Sequence, residues 1–235
     1  MDNAGYRGFH APRYAYLLRL LEDLGANADS RMLDIGASHL TDLMREKFGA
    51  RVDTLGFGED LRSDQGNHYC FNLNDAQSAD TCRTDLPQYD LIVMAEVLEH
   101  LYVAPQLSLA FTKKLLLPNG RLIVQTPNAA SLRKRIKLLF GQNPYEMIRI
   151  DPENPGHYRE YTIAELRGIA DELNLLVDRC ETGFYFDTRF VHDAEGRLVR
   201  HNPFGAIKNA FYRNLPGNLR EGITLVLRHN TSKQT

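Results

Sequence analysis

Met32-Leu-Asp-Ile-Gly-Ala-Ser38 is a short apolar run that carries one acid and breaks at a glycine. So short a run, closed by Gly36, suits a strand buried on both faces better than a helix, and a glycine there lets the backbone turn sharply. Residues 39–48 then predict a helix. The stretch reads as strand, tight turn, helix, which is the repeating unit of a parallel sheet.

Working outward, the same alternation continues. Before the strand, Tyr14, Leu17, Leu18, Leu21 and Leu24 share one helical face and Gly25 supplies a stop. After it, strands are predicted from Val52 to near Phe57, over 69–73 and over 89–95, the last a continuous apolar run as in a strand covered on both faces. Leu107, Ala110, Phe111 and Leu115 mark a helix, Pro118-Asn-Gly120 a turn, and 121–125 another strand. Leu166, Ile169, Ala170 and Leu173 predict a further helix, followed by strands near 176–180 and 223–227. The expectation is an α/β fold: one doubly wound, mostly parallel sheet with helices on both faces, over a single domain spanning 1–235.

Two stretches depart from simple alternation, 127–162 and 184–222, the second with a hairpin expected around Asp193-Ala-Glu-Gly196. In an open α/β sheet ligands bind beyond the carboxyl ends of the strands, where such loops sit, so both are read as lids.

Composition narrows the function. The chain of 235 residues is 43% hydrophobic and 25% charged, the balance of an ordinary globular protein. With 28 Lys and Arg against 30 Asp and Glu the formal charge is −2, so no broad positive field favours nucleic acid. Three widely spaced cysteines, Cys70, Cys82 and Cys180, suit a reducing compartment rather than a disulfide framework. No C-x-x-C or Cys/His cluster is visible, so no metal and no sensitivity to chelators are expected. The first residues hold no apolar signal core, and the run 91–95 is too short to cross a bilayer; the expectation is a soluble, cytoplasmic protein.

A glycine straight after a buried strand allows close approach of a ligand, an acid at the strand end can accept hydrogen bonds, and the helix N-terminus offers free N–H groups. Such a site suits a nucleoside-containing cofactor. A dinucleotide fingerprint would require glycines where Ser38 and Thr41 stand, which weakens a nicotinamide-dependent oxidoreductase.

Three blocks in order carry a stronger signal: Met32-Leu-Asp-Ile-Gly-Ala-Ser38, Tyr89-Asp-Leu-Ile-Val-Met-Ala-Glu-Val-Leu-Glu-His-Leu101 and Leu117-Pro-Asn-Gly-Arg-Leu-Ile-Val-Gln-Thr-Pro-Asn128. Together they resemble the class I S-adenosylmethionine-dependent methyltransferases, and His157-Tyr-Arg-Glu-Tyr-Thr162 resembles that family's region after its fifth strand. The resemblance implies a seven-stranded sheet with its last strand antiparallel, S-adenosyl-L-methionine as cofactor, and transfer of a methyl group. It places Asp34 and Gly36 at the methionine moiety and cofactor backbone, Ser38 at a second glycine position, Glu96 near the reactive end, and Glu99-His100 in an E-H-L signature.

This sequence departs from the family in two places. Leu40 replaces a third glycine, and Gly56 stands where an acid usually receives the ribose hydroxyls, leaving Glu59 or Asp60 to substitute; Asn72 lies where adenine is contacted. The pocket also requires that neither Leu40 nor Phe57 fill it. For a hydroxyl acceptor a histidine is a natural base, and of the eight histidines His157 and His100 are best placed.

The acceptor implied is a small molecule or a sugar or glycolipid of surface-polysaccharide biosynthesis, with Tyr145, Tyr158 and Tyr161 either stacking on it or packing. The alternative is a catalytically inactive methyltransferase-like binding or regulatory protein. Residues 132–140 carry four basic residues, no acid and apolar residues at 132, 136, 139 and 140. This amphipathic helix reads as a cover over the site or as a peripheral membrane contact.

Overall fold

The computed structural model describes residues 3–78, 80–151, 154–193 and 197–230. Seven strands form one sheet in the order β3-β2-β1-β4-β5-β9-β6. They are β1 (Met32–Ile35), β2 (Val52–Gly56), β3 (His68–Cys70), β4 (Tyr89–Ala95), β5 (Leu116–Pro127), β6 (Leu175–Gly183) and β9 (Gly222–His229). β1 pairs in parallel with β2 and β4, and β4 with β5, whereas β9 lies antiparallel between β5 and β6. The last strand is therefore antiparallel, as expected.

The central strands are mostly apolar because both faces are covered. Leu33, Ile35, Ile92, Met94 and Leu122 pack on one side with α3 (Pro105–Lys114) and α5 (Ile163–Glu172). Met32, Leu91, Val93 and Ile123 pack on the other with α1 (Asn3–Asp23) and α2 (His39–Phe48). α2 begins at Ser38, whose Oγ accepts the N–H of Leu40, and ends at Gly49 in the left-handed region.

Three local expectations change. The strand expected over 69–73 is short: β3 stops at Cys70, and a 3₁₀ turn, Leu73–Gln77, starts from Asn72 as its cap. Pro118-Asn-Gly120 does not precede the fifth strand but bulges out of it, between Leu116 opposite Tyr89 and Arg121 opposite Leu91. The first helix starts at Asn3 and runs through Pro12.

The described parts of both long stretches are folded. In the first, α4 (Leu132–Leu139) is followed by a return in which Asn128 bridges to Tyr161. In the second, β7 (Phe190–His192) and β8 (Leu198–Arg200) pair antiparallel, giving the arms of the expected hairpin; its tip, 194–196, lies outside the described residues. This second stretch, which continues into α6 (Gly205–Arg213), holds α1 in place: Phe186 stacks on Phe9 at 5.1 Å, and the N–H of Asp187 donates to the Phe9 carbonyl at 2.9 Å.

Candidate active site

The site is built where β1 and β4 end side by side. Gly36 follows β1 with φ +80°, and its N–H donates to the Leu55 carbonyl at 2.9 Å. A Cβ there would lie 2.9 Å from Cγ2 of Val97. Glu96 follows β4 with φ 57°, a conformation that costs a residue with a side chain about 1–3 kcal/mol and recurs where function requires it.

Below this loop lies Asp34, 2% exposed. It accepts the Thr41 hydroxyl at 2.6 Å, and Thr41 Oγ1 accepts the N–H of Ser38 at 3.1 Å. Burial pushes the Asp34 carboxyl up to about 7. Its side chain thus sits beneath the turn and holds Ser38, rather than standing in a cavity wall.

Two cavities meet at Gly36 and Val97. The smaller, about 340 Å³, is apolar, with Leu55, Phe71, Leu73 and Leu101 in its wall beside Asn72. Asn72 Oδ1 accepts both the N–H and the Nδ2 of Asn74, at 3.0 and 3.1 Å, so its own amide hydrogens are what it can offer a ligand. Leu40 is 2% exposed in the core, and Phe57 is exposed at the rim. Neither fills the space.

Glu59 is exposed and stands outside both walls, and Asp60 is taken by Arg83 at 2.7 and 3.0 Å. Among the described residues, no acid stands in the wall of the smaller cavity.

The larger cavity, about 580 Å³, is polar, and Arg13, Glu96, His100, Lys134, His157 and Glu160 stand in its wall. Arg13 Nη1 lies 3.7 Å from Glu96, and its Nε is buried without a partner. Desolvation pushes the Glu96 carboxyl above the ordinary range. His100 Nδ1 meets the Gly156 carbonyl at 2.9 Å, and His157 Nδ1 meets Glu160 at 3.2 Å. The other oxygen of Glu160 accepts Lys134, which also donates to the Asn128 carbonyl at 3.0 Å. The imidazoles pack edge to face, centroids 4.8 Å apart. Burial, with His100 beside it, lowers His157 to about 4, so its ring is neutral at neutral pH.

Glu99, 0% exposed, lies next to this pair. Its Oε2 accepts the Thr126 hydroxyl at 3.0 Å, and its Oε1 has no hydrogen-bond partner among the described residues. Desolvation and the neighbouring Glu96 raise it well above the usual carboxylate range.

Of the residues expected from sequence, Gly36, Ser38, Glu96, His100 and His157 converge on the larger cavity, and Gly36 and Asn72 line the smaller. Arg13, Lys134 and Glu160 were not expected. Tyr6, His10 and Arg13, at helical spacing before Tyr14, carried the signal for the first of them. Of the lid tyrosines, Tyr161 is a buried packing residue, and Tyr145 donates to the Ala129 carbonyl.

A family model described as a methyltransferase domain matches residues 9–179. The chain belongs to this methyltransferase family. No curated protein matches its sequence. Solved structures of the same fold include an S-adenosylmethionine-dependent methyltransferase from Anabaena variabilis (14% identity, TM-score 0.57, covering 92% of this chain and 84% of that one). The 1,6-didemethyltoxoflavin-N1-methyltransferase of Burkholderia thailandensis, with bound 1,6-didemethyltoxoflavin and S-adenosylhomocysteine, is 16% identical, with TM-score 0.54 over 97% of this chain and 79% of that one. The N-methyltransferase NodS of Bradyrhizobium japonicum, in complex with S-adenosylhomocysteine, is also 16% identical, with TM-score 0.53 over 97% and 89%.

S-adenosylmethionine is the methyl donor of this methyltransferase. The residues present fit it. A donor with a flat base at one end and a charged amino acid at the other meets an apolar cavity and a polar one joined at a glycine, with an unpartnered buried Arg13 Nε on the polar side. Among the described residues no helix is long and apolar enough to cross a membrane.

Proposed function

We propose that this methyltransferase methylates a hydroxyl oxygen of a small molecule or of a sugar or glycolipid, bound at the His100–His157 end of the larger cavity. The observation that carries this reading is the pair of histidines in the wall of a polar cavity that opens directly at Gly36. S-adenosylmethionine, when bound, supplies an activated methyl group. The chain's own residues hold it and prepare the acceptor.

Asn72 and the apolar wall receive the base, Gly36 and Ser38 face the middle, Asp34 holds Ser38 from below, and Arg13 with Glu96 meets the charged end. Carbonyl and carboxylate oxygens only accept, so Nδ1 carries the hydrogen in both histidines. The lone pair on Nε2 of neutral His157 then accepts the proton of the acceptor hydroxyl, with Glu160 fixing the ring as Lys134 fixes Glu160.

The test is transfer of labelled methyl to a panel of hydroxylated and aminated small molecules, sugars included. His157→Ala is expected to bind S-adenosylhomocysteine as the unaltered protein does and to lose roughly 100-fold in turnover, the scale of general-base catalysis. Unchanged turnover would remove His157 from catalysis. The absence of an acid from the smaller cavity's wall favours one other reading, a binding module without turnover; tight S-adenosylhomocysteine binding with no transfer to any acceptor supports that reading instead.

We also propose that α4 rests on an anionic membrane surface, at the inner face of a bilayer for a cytoplasmic enzyme. Its amphipathicity is inverted. The residue it turns inward is Lys134, while Ile136, Leu138, Leu139 (80% exposed) and Phe140 (74%) face solvent beside exposed Arg133 and Arg135. Apolar side chains ringed by cations match the boundary of an acidic lipid surface. The protein is expected to sediment with phosphatidylglycerol-containing vesicles. Leu139→Asp with Phe140→Asp should weaken this by on the order of 100-fold or more, since each buried side chain contributes about 1.5–3 kcal/mol. Equal recovery with and without acidic vesicles would refute the contact.

A further inference from the structure

We propose that Glu99, His100 and His157 form a binding site for one divalent transition-metal ion, of the zinc, cobalt, iron(II) or manganese class, at the acceptor end of the larger cavity. One ligand atom from each lies within 4.8 Å of the others. Ligands at ~2.1 Å from one ion lie at most ~4.2 Å apart, so a small inward rotation closes the set.

The arrangement around the three residues is what a metal centre requires. Histidine ligands usually give their other ring N–H to a carbonyl or carboxylate, which fixes the tautomer and directs the free nitrogen at the ion. His100 donates Nδ1–H to the Gly156 carbonyl at 2.9 Å, and His157 donates to the Glu160 carboxylate, itself held by Lys134. Both therefore keep the Nε2 lone pair. The third ligand has its own support, with Thr126 on Oε2 and no hydrogen-bond partner on Oε1. A buried polar oxygen without a partner is costly, and a cation beside it removes that cost.

The backbone also preforms the site. The N–H of Tyr158 donates to the Glu99 carbonyl at 2.8 Å, which fastens the His157 segment to the turn Leu98–His100. Arg13, Lys134, Glu96 and Glu160 also face this space; Glu96 adds negative charge to the near side, whereas the two cations are engaged by Glu96 and Glu160.

Two imidazoles and one carboxylate select borderline divalent ions over magnesium and leave coordination positions open. An oxygen of the acceptor can take such a position, so the inference rests on reading this end as the acceptor end. It revises the expectation of a metal-free site. With the ion bound, the Nε2 lone pair of His157 ligates it, so the base role proposed above belongs to the metal-free protein alone. The sequence hid the cluster because His157 joins Glu99-His100 only through the folded lid.

The test is direct binding to the whole chain after chelator treatment and dialysis, by calorimetric titration with Zn²⁺ and by the visible absorption of Co²⁺. One equivalent is expected to bind. His157→Ala and Glu99→Gln should each weaken it by more than the roughly 10–100-fold that loss of a mere supporting partner costs. S-adenosylhomocysteine binding at Gly36 reports whether each variant is folded; should Glu99→Gln fail to fold, His157→Ala carries the comparison. No uptake of Zn²⁺, Co²⁺ or Mn²⁺ at millimolar concentration, or uptake unchanged in a folded His157→Ala, overturns the site. Uptake that depends on His157 in a protein that transfers no methyl group upholds the metal site and overturns the functional reading alone.

Discussion

Gly36→Val is expected to raise the dissociation constant for S-adenosylhomocysteine by on the order of 100-fold or more, about 2.7 kcal/mol of binding free energy. The turn at Gly36 has φ +80°, where a residue with a side chain is strained by about 1–3 kcal/mol, and its Cβ would meet Cγ2 of Val97 at 2.9 Å. The larger effect is positional. Gly36 and Val97 are the residues shared by the two cavities, so branched methyls at 36 stand where a ligand must cross from the apolar side to the polar side. Gly25 provides the control. It has φ +89° with nothing within 4 Å of an added Cβ, so Gly25→Val carries the strain without the obstruction. Calorimetric titration should show lost affinity in the Gly36 variant and near-native affinity in the Gly25 variant. Native affinity in a folded Gly36→Val would place the cofactor elsewhere and dismantle the site described above.

The fold was legible where burial on both faces leaves a run that is apolar but for one acid. Met32–Ile35 and Tyr89–Ala95 are such runs, and they are the strands that frame the site. Legibility failed where a side chain serves the site instead of the core. In the first helix the apolar period begins only at Tyr14, because His10 and Arg13 face the polar cavity and interrupt it. The strand expected over 69–73 runs past the end of β3 at Cys70 because Phe71 is apolar, whereas the Asn72 side chain caps the next turn.

The site shows the same division. Gly36, Ser38, Glu96 and the two histidines were visible through local motifs. Glu99 stands in the sequence only as part of the E-H-L signature; the structure buries it with one oxygen unpartnered beside a histidine from a distant lid, and no local pattern encodes that meeting. In α4 the inward position goes to Lys134, not to an apolar residue, because Glu160 and the Asn128 carbonyl are there to receive it.

Lys134→Met is expected to lower the melting temperature by roughly 6–20 °C. Lys134 is 6% exposed and paired with Glu160, whose side chain is also buried. Removing one member of a buried pair strands the other charge and costs about 3–5 kcal/mol. For a domain of this size each kcal/mol moves the midpoint by about 2–4 °C. The pair itself need not be stabilising, because desolvating both charges offsets most of their attraction. Lys134→Met combined with Glu160→Gln removes both charges, keeps an oxygen for His157 Nδ1, and should recover most of the loss. Differential scanning calorimetry on the two variants separates the contributions. A single variant within ~2 °C of the unaltered protein would mean that water reaches Glu160 and screens it. A double variant no better than the single would mean that the methylene stem of Lys134, not its charge, anchors α4. The anchoring bears on function in two directions: on the inner side the pair orients His157 through Glu160, and on the outer side a helix held by its lysine presents Leu139 and Phe140 to the surroundings.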